Sequence, residues 1–431
     1  MRQILTLACF LFFIASAVSQ TSEEIKEHFD EAEYFFNRKD FEEAAYYYKK
    51  VLAQYPDNAN FNFKLGECYL NIPGAESQAV PYLEKAVERT IEKNKYKSKS
   101  FEEKNAPLHA YFYLGNAYRI NNQLDKALTA YNTFINSPYY YGNYNETIVE
   151  NEIKACERAK IIQDSPVNLT EELLPEPVNS DASEIRPVVS GNEKTIVFIR
   201  KLKFYDAILL CKKEGEEWSQ PLNLNPLVGS DGDFYPAFLS HDGKELYLIR
   251  NFSENGDLYV SFFRENTWTK AEKLQGPVNT NANEASACLS EDGQWLYFSS
   301  DRMGGKGGLD IYVAKRKAKN EWVKIKNLGK TINSEFDEDS PCLTNQGKTL
   351  YFCSKGHYSM GGFDLFYANK EGKKWSTPVN AGYPVNTTAD NNNMTVMQGG
   401  KIIYLSKIDT TGSENENLYK LKILSYLPLP R

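Results

Sequence analysis

The sequence has 431 residues, more than one ordinary domain holds and enough for two or three. Apolar residues at 42% and charged residues at 25% exclude a wholly disordered chain, a collagen and a polytopic membrane protein. A net charge of −7 argues against wholesale nucleic-acid binding. The outlier is aromatic content, 13%, from 29 Tyr and 24 Phe; with only 4 His, this favours many strands or tightly packed helices over a metal-rich enzyme.

The first element is a leader. Arg2 follows the initiating Met1, residues 4–15 form an apolar run too short to span a bilayer, and small residues at Ala17 and Ser19 suit a cleavage site before Gln20. This predicts a signal peptide over 1–19; an uncleaved anchor, or a lipoprotein using Cys9, are the competing readings. No later apolar run is long enough to span a membrane. The six cysteines after Cys9 include no CxxC pair and sit in apolar stretches. Buried free thiols are expected, with one disulfide left open.

Residues 20–163 read as helical. Ala32, Phe35, Ala44, Tyr48, Val51 and Pro56 fall at fixed offsets in a unit of about 34 residues. A second copy carries Leu65, Gly66, Tyr69, Ala79, Leu83 and Ala86; a third carries Leu114, Gly115, Tyr118, Ala127, Tyr131, Phe134 and Pro138. Small residues let two helices approach, aromatics fill between them, and proline stops the second helix. A helix over 146–163 is expected to cap the stack. The Lys-rich segment 92–107 reads as a solvated insertion. These three copies resemble the tetratricopeptide repeat. That resemblance implies a groove lined by the first helix of each repeat, which takes a peptide or helix of a partner. It nominates Asn62, Asn116, Arg119 and Asn122 as partner-binding residues.

After Pro166 the period changes to two. Five units of about 50 residues align. Each has a strand, a turn (such as those at 240–243, 290–293 and 345–347) and a strongly apolar strand (196–199, 246–249, 296–299, 350–353, 403–406). A third strand opens at Asp206, Asp257, Asp310, Asp364 or Asn417, and a fourth carries Trp218, Trp268, Trp322 or Trp375. Four strands per unit with a tryptophan make a propeller blade. The fifth unit lacks its own fourth strand, so residues 166–169 are predicted to pair alongside 418–424 and close the ring.

The expected fold class is therefore α+β multidomain: an N-terminal all-α tetratricopeptide solenoid over 20–163, three repeats plus a capping helix, followed by an all-β five-bladed propeller over 164–431.

Catalytic motifs are scarce. The serine in 356–361 stands one place late for a GxSxG elbow, and no residues remain for a hydrolase domain. His28, His109, His241 and His357 are too scattered for a shared metal site, so no metal and no cofactor are expected. A charge pattern does repeat. An acid precedes each first strand (Glu184, Asp233, Glu284, Glu338, Asp390), and a base follows each second strand (Arg200, Arg250, Arg302, Lys355, Lys407). Antiparallel pairing brings them together on one rim, as five structural ion pairs or as a ligand-binding ring. Glycine-rich loops at 302–308 and 355–362 leave the same rim, with Asp310 and Asp364 placed to accept their backbone N–H groups.

The blade units resemble WD-type propeller repeats common in envelope proteins of the Bacteroidetes. Leader, helical repeats and propeller in this order are similar to the N-terminal part of a family of OmpA-like envelope proteins, some acting with type IX secretion. The resemblance implies a non-enzymatic scaffold in the periplasm, associated with the outer membrane. Its partners would be envelope proteins such as an outer-membrane barrel or secretion components, with no nucleic acid. This chain departs from the family pattern by stopping soon after the fifth blade, which puts direct peptidoglycan anchoring in doubt. A glycan-binding or polysaccharide-processing propeller enzyme is the alternative.

Overall fold

A computed structural model describes residues 23–252, 255–408 and 415–425. The leader expected over 1–19 lies outside the described residues. The chain divides into two units, one ending at Cys156 and one starting at Glu157.

The first unit is built from helical hairpins. Helix α1 (23–37) pairs with α2 (Phe41–Gln54). Helix α3 (Ala59–Leu70) pairs with α4 (Val80–Ala86), and α5 (Ala110–Ile120) with α6 (Leu124–Ile135). Short polar side chains start two of them: Asp40 accepts the Glu43 N–H and Asn58 accepts the Phe61 N–H. The glycines at equivalent repeat positions are sites of close approach. A Cβ at Gly66 would stand 2.6 Å from Leu83, and one at Gly115 would stand 2.3 Å from Tyr131. Tyr48, Tyr131, Phe29, Phe61 and Phe134 are fully buried between helices. Helix α7 (Glu146–Gln163) follows, packing Val149 with Phe134 and Tyr140.

The insertion at 92–107 departs from the solvated loop expected. Thr90–Ile91 and Ala106–Pro107 form a short parallel ladder that pins its ends. Between them the Phe101 ring sits 5.6–5.7 Å from those of Phe29, Tyr55 and Phe61, and the Tyr96 hydroxyl donates to Asn60 at 2.5 Å. Buried Glu103 gathers the N–H groups of Lys97, Lys104 and Asn105. One aromatic anchor and one N–H-collecting carboxylate outweigh the lysines around them.

The second unit is a ring of five antiparallel sheets. Blade one runs Glu184–Val189, Thr195–Lys201, Asp206–Glu214 and Glu217–Trp218. Blades two, three and four begin with inner strands Phe234–Leu239, Glu284–Leu289 and Glu338–Thr344. Blade five joins Thr395–Met397, Ile402–Ile408 and Glu416–Ser425 to a fourth strand, Asn168–Leu173, from the start of the unit. Closure thus occurs as expected, with the donor strand further along than 166–169. Trp322 and Trp268 are buried between blades, while Trp218 and Trp375 are half-buried.

Two side-chain devices recur around the ring. Ser190, Ser240 and Ser290 each accept the N–H five residues on, tying the turn between the first two strands. Asn179, Asn225, Asn279, Asn333 and Asn386 each accept one N–H of a third strand at 2.7–2.8 Å. Each also donates to a nearby carbonyl, so one amide ties each connector to its blade.

Cys68, Cys156, Cys211, Cys288, Cys342 and Cys353 are buried free thiols. Among the described residues no helix is long and apolar enough to cross a membrane.

Candidate functional site

The nominated groove residues separate on inspection. Asn62 is 1% exposed, and its amide donates to the carbonyls of Pro56 and Asn58, locking the α2–α3 connection. Arg119 is buried beside Glu152 of α7 at 2.9 Å. Arg119 is therefore an internal support, whereas Asn62, though its amide is tied to the backbone, borders an open depression of about 310 Å³ together with Lys49, Pro56, Tyr82 and Lys85. Asn116 is half-buried and accepts the Tyr131 hydroxyl at 2.7 Å, holding α5 to α6. Asn122 is exposed but lies beyond the end of α5, with φ 56°. The exposed aromatic surface of the helical unit lies elsewhere: Tyr34 and Tyr46 are each 53% exposed. Lys50 Nζ stands 4.3 Å from the Tyr46 ring, and the Tyr34 hydroxyl accepts from Arg38.

The acid–base ring follows the proposed geometry in part. Arg200 meets Glu184 at 2.5 Å, Arg302 meets Glu284 at 3.0 Å, and Arg250 pairs with Asp233. The other two pairs are corrected. Lys355 turns to Asp337 at 3.1 Å, and Lys407 pairs with Glu171 on the closing strand. Asp390 accepts the Phe363 N–H of the fourth blade's glycine loop instead.

In blade five the reason is a one-residue offset. Glu184, Glu284 and Glu338 are wholly buried, each taking the hydroxyl and N–H of a Ser or Thr four residues earlier. Asn391 accepts the corresponding Thr387 N–H in blade five, so Asp390 stands one place before the cradle. Glu338 has hydroxyls from Ser334 and Ser354 but, among the described residues, no ion pair with a lysine or arginine. Burial pushes its carboxyl up to about 7, against those hydrogen bonds. His357 Nε2 lies 3.9 Å from it and is hydrogen-bonded to the Ile332 carbonyl. Buried, hydroxyl-bound acids of this kind hold the connectors in place. They face their own blade.

The glycine loops behave as read. Asp310 accepts the N–H groups of Lys306 and Gly307 at 2.6 and 3.1 Å, and Asp364 accepts that of Met360 at 2.7 Å. Each is also held by an asparagine, Asn327 or Asn380, at 2.7 Å.

The sequence reading missed the axial cavity. Residues of all five inner strands surround about 40 Å³ of space, including Arg186, Pro236, Ser286, Ser340 and Asn393. Bulges in the inner strands shape it. In blade one Arg186 and Pro187 stand between the paired residues Ile185 and Val188; in blade four Ser340 and Pro341 do the same. Arg186, Ser340 and Asn393 all take left-handed φ, 51–55°, a conformation that costs a non-glycine residue of order 1–3 kcal/mol. An X-Pro pair recurring in three inner strands, at Pro187, Pro236 and Pro341, was the available sequence signal.

Comparison with known proteins adds the following. A tetratricopeptide repeat family model matches residues 35–92. No curated protein matches the sequence. Among solved structures, TolB from Acinetobacter baumannii is 13% identical over 56% of this chain and 55% of its own length, with a TM-score of 0.37. The match thus spans only about half of that protein. An α-L-arabinofuranosidase from Lactobacillus brevis is 15% identical over 62% of this chain and 94% of its own (TM-score 0.40). The catalytic domain of a Coprinopsis cinerea GH62 α-L-arabinofuranosidase is 9% identical over 60% and 98% (TM-score 0.39). The fold is thus a helical-hairpin unit, matched by the tetratricopeptide repeat over 35–92, followed by a five-bladed propeller.

Proposed function

We propose that the chain is a non-enzymatic interaction scaffold of the cell envelope, gripping a partner protein with its helical repeats and presenting the propeller as a second platform. The observation that carries this is the set of paired helices matching the tetratricopeptide family, with the exposed Tyr34 and Tyr46 beside them. Large rigid aromatics flanked by cations are typical anchors of protein interfaces. The leader read at the start of the sequence supports a periplasmic address. The order of elements supports outer-membrane association, in a setting such as type IX secretion.

The test is in-cell cross-linking of the full chain with fractionation of the source bacterium. The expected result is an envelope fraction holding one dominant adduct, which is lost in the Y34A/Y46A variant. A cytoplasmic location, or an adduct indifferent to both tyrosines, overturns the reading. Release of reducing sugar from a polysaccharide panel by the purified protein would overturn the non-enzymatic part.

A further inference from the structure

The axial cavity is lined by a cation that makes no direct pair among the described residues. Among the described residues Arg186 makes no hydrogen bond and no ion pair; its guanidinium lies 5.5 Å over the Tyr235 ring. Asp339, Asp206, Glu416 and Tyr235 face it at longer range. Three of these acids are engaged. Asp339 accepts the hydroxyls of Ser286 and Ser299 at 2.5 and 2.6 Å. Asp206 accepts that of Tyr235 at 3.1 Å, and Glu416 that of Ser406 at 3.3 Å. Burial among the blades lowers the affinity of Arg186 for its proton. Across the cavity the Ser340 hydroxyl makes no hydrogen bond among the described residues either, its backbone N–H alone being bonded, to Ser286.

A half-buried guanidinium with no hydrogen-bond partner among the described residues leaves its donors open, and its planar fork matches two oxygens of one acid. The space of about 40 Å³ would hold roughly three waters, which is the scale of a carboxylate on a short stem. Pro236, Ala237 and Met394 give that stem an apolar wall.

We propose that the axial cavity is a binding site for a carboxylate on a short apolar stem, with Arg186 as its bidentate donor and Ser340 as a second donor. A free organic acid and the C-terminal residue of a peptide share this chemistry. The acids around Arg186 oppose an incoming anion, so affinity is expected in the millimolar range, roughly −4 kcal/mol. The site does not depend on the scaffold reading, because it lies wholly within the propeller.

Titration of the full chain, followed by NMR, with sodium propionate, N-acetylalanine and their two amides tests this. Both acids, or one of them, should bind while the amides do not. Tighter binding of N-acetylalanine marks a peptide terminus, and binding of propionate alone marks a free acid. R186Q should lower acid affinity at least tenfold, and R186K should lower it less. Without ligand, R186Q should melt close to the wild-type temperature, since the side chain makes no hydrogen bond or ion pair among the described residues. The proposal is overturned if acids and amides bind alike, if neither binds up to ~50 mM, or if R186Q binds normally. A ligand-free R186Q that melts well below wild type would make Arg186 a structural residue, with the same consequence.

Discussion

Leu169 stands opposite Ile423 in an antiparallel ladder, so the ring is closed by a strand from before the first blade. The closing segment is tied in further by Val167, whose N–H donates to the Tyr383 carbonyl at 2.6 Å and whose side chain is buried with Val385, Leu421 and Ile423. The last blade therefore depends on residues at the far end of its own unit.

V167D places a carboxylate in that apolar cluster and should cost more than ~3 kcal/mol. T170A, on the exposed face of the same strand, should stay within ~0.5 kcal/mol. All 5 tryptophans lie between Trp218 and Trp375, so fluorescence-detected urea unfolding reports the propeller directly. Equal midpoints for V167D and wild type would show that closure does not depend on this segment.

Glu338 gives a pH signature. Its carboxyl is raised from an ordinary 4.5 to about 7 by burial. A raised pKa stabilises the fold fully below the unfolded value, and that contribution disappears as pH climbs through the folded value. Propeller stability should thus lose up to ~3 kcal/mol between pH 4.5 and 7 on account of this group. E338Q, which carries no charge but gives up the acceptor of the Ser334 N–H, should remove that slope. Parallel stability–pH curves for the two proteins would refute this.

His109 acts in the opposite sense in the helical unit. Burial, helped by Lys93 and Lys64, lowers its imidazole from 6.5 to about 4. Its neutral form contributes stability fully above pH 6.5, and this is lost as pH falls toward 4, by up to ~3 kcal/mol. The ring packs 5.4 Å from Phe63 and 5.9 Å from Tyr113. H109F should keep the packing and abolish that acid-side loss, as read from helical circular dichroism at 222 nm. An unchanged acid profile would show that another group carries it.

The repeats were legible because each unit solves one packing problem with the same residues: glycine where helices touch, Ser at the blade turns, Asp at the glycine loops. Three features were not. Asp390 was placed one residue off the cradle, because alternation of apolar and polar residues does not reveal where a strand begins. Arg186 was passed over because a bulge adds a residue without marking it. The lysines of 92–107 obscured Phe101, whose contacts are non-local. The five connector asparagines were readable from their spacing, four of them following Val or Ile, yet drew no attention beside the charged residues.

Arg119 separates a structural reading from a recognition one. Its Nε stands 2.9 Å from Glu152 Oε2, with side chains only 7% and 17% exposed, joining α5 to α7. Removing one member of a buried pair leaves an uncompensated charge and typically costs 3–5 kcal/mol, whereas replacing both by apolar residues is often close to neutral. R119A should therefore destabilise the helical unit by about 3 kcal/mol. R119M/E152L should recover most of that loss, and both should be read by thermal melts at 222 nm. A partner contact through Arg119 would produce a different pattern. R119A would then melt normally while losing the cross-linked adduct, and the double variant would not restore it.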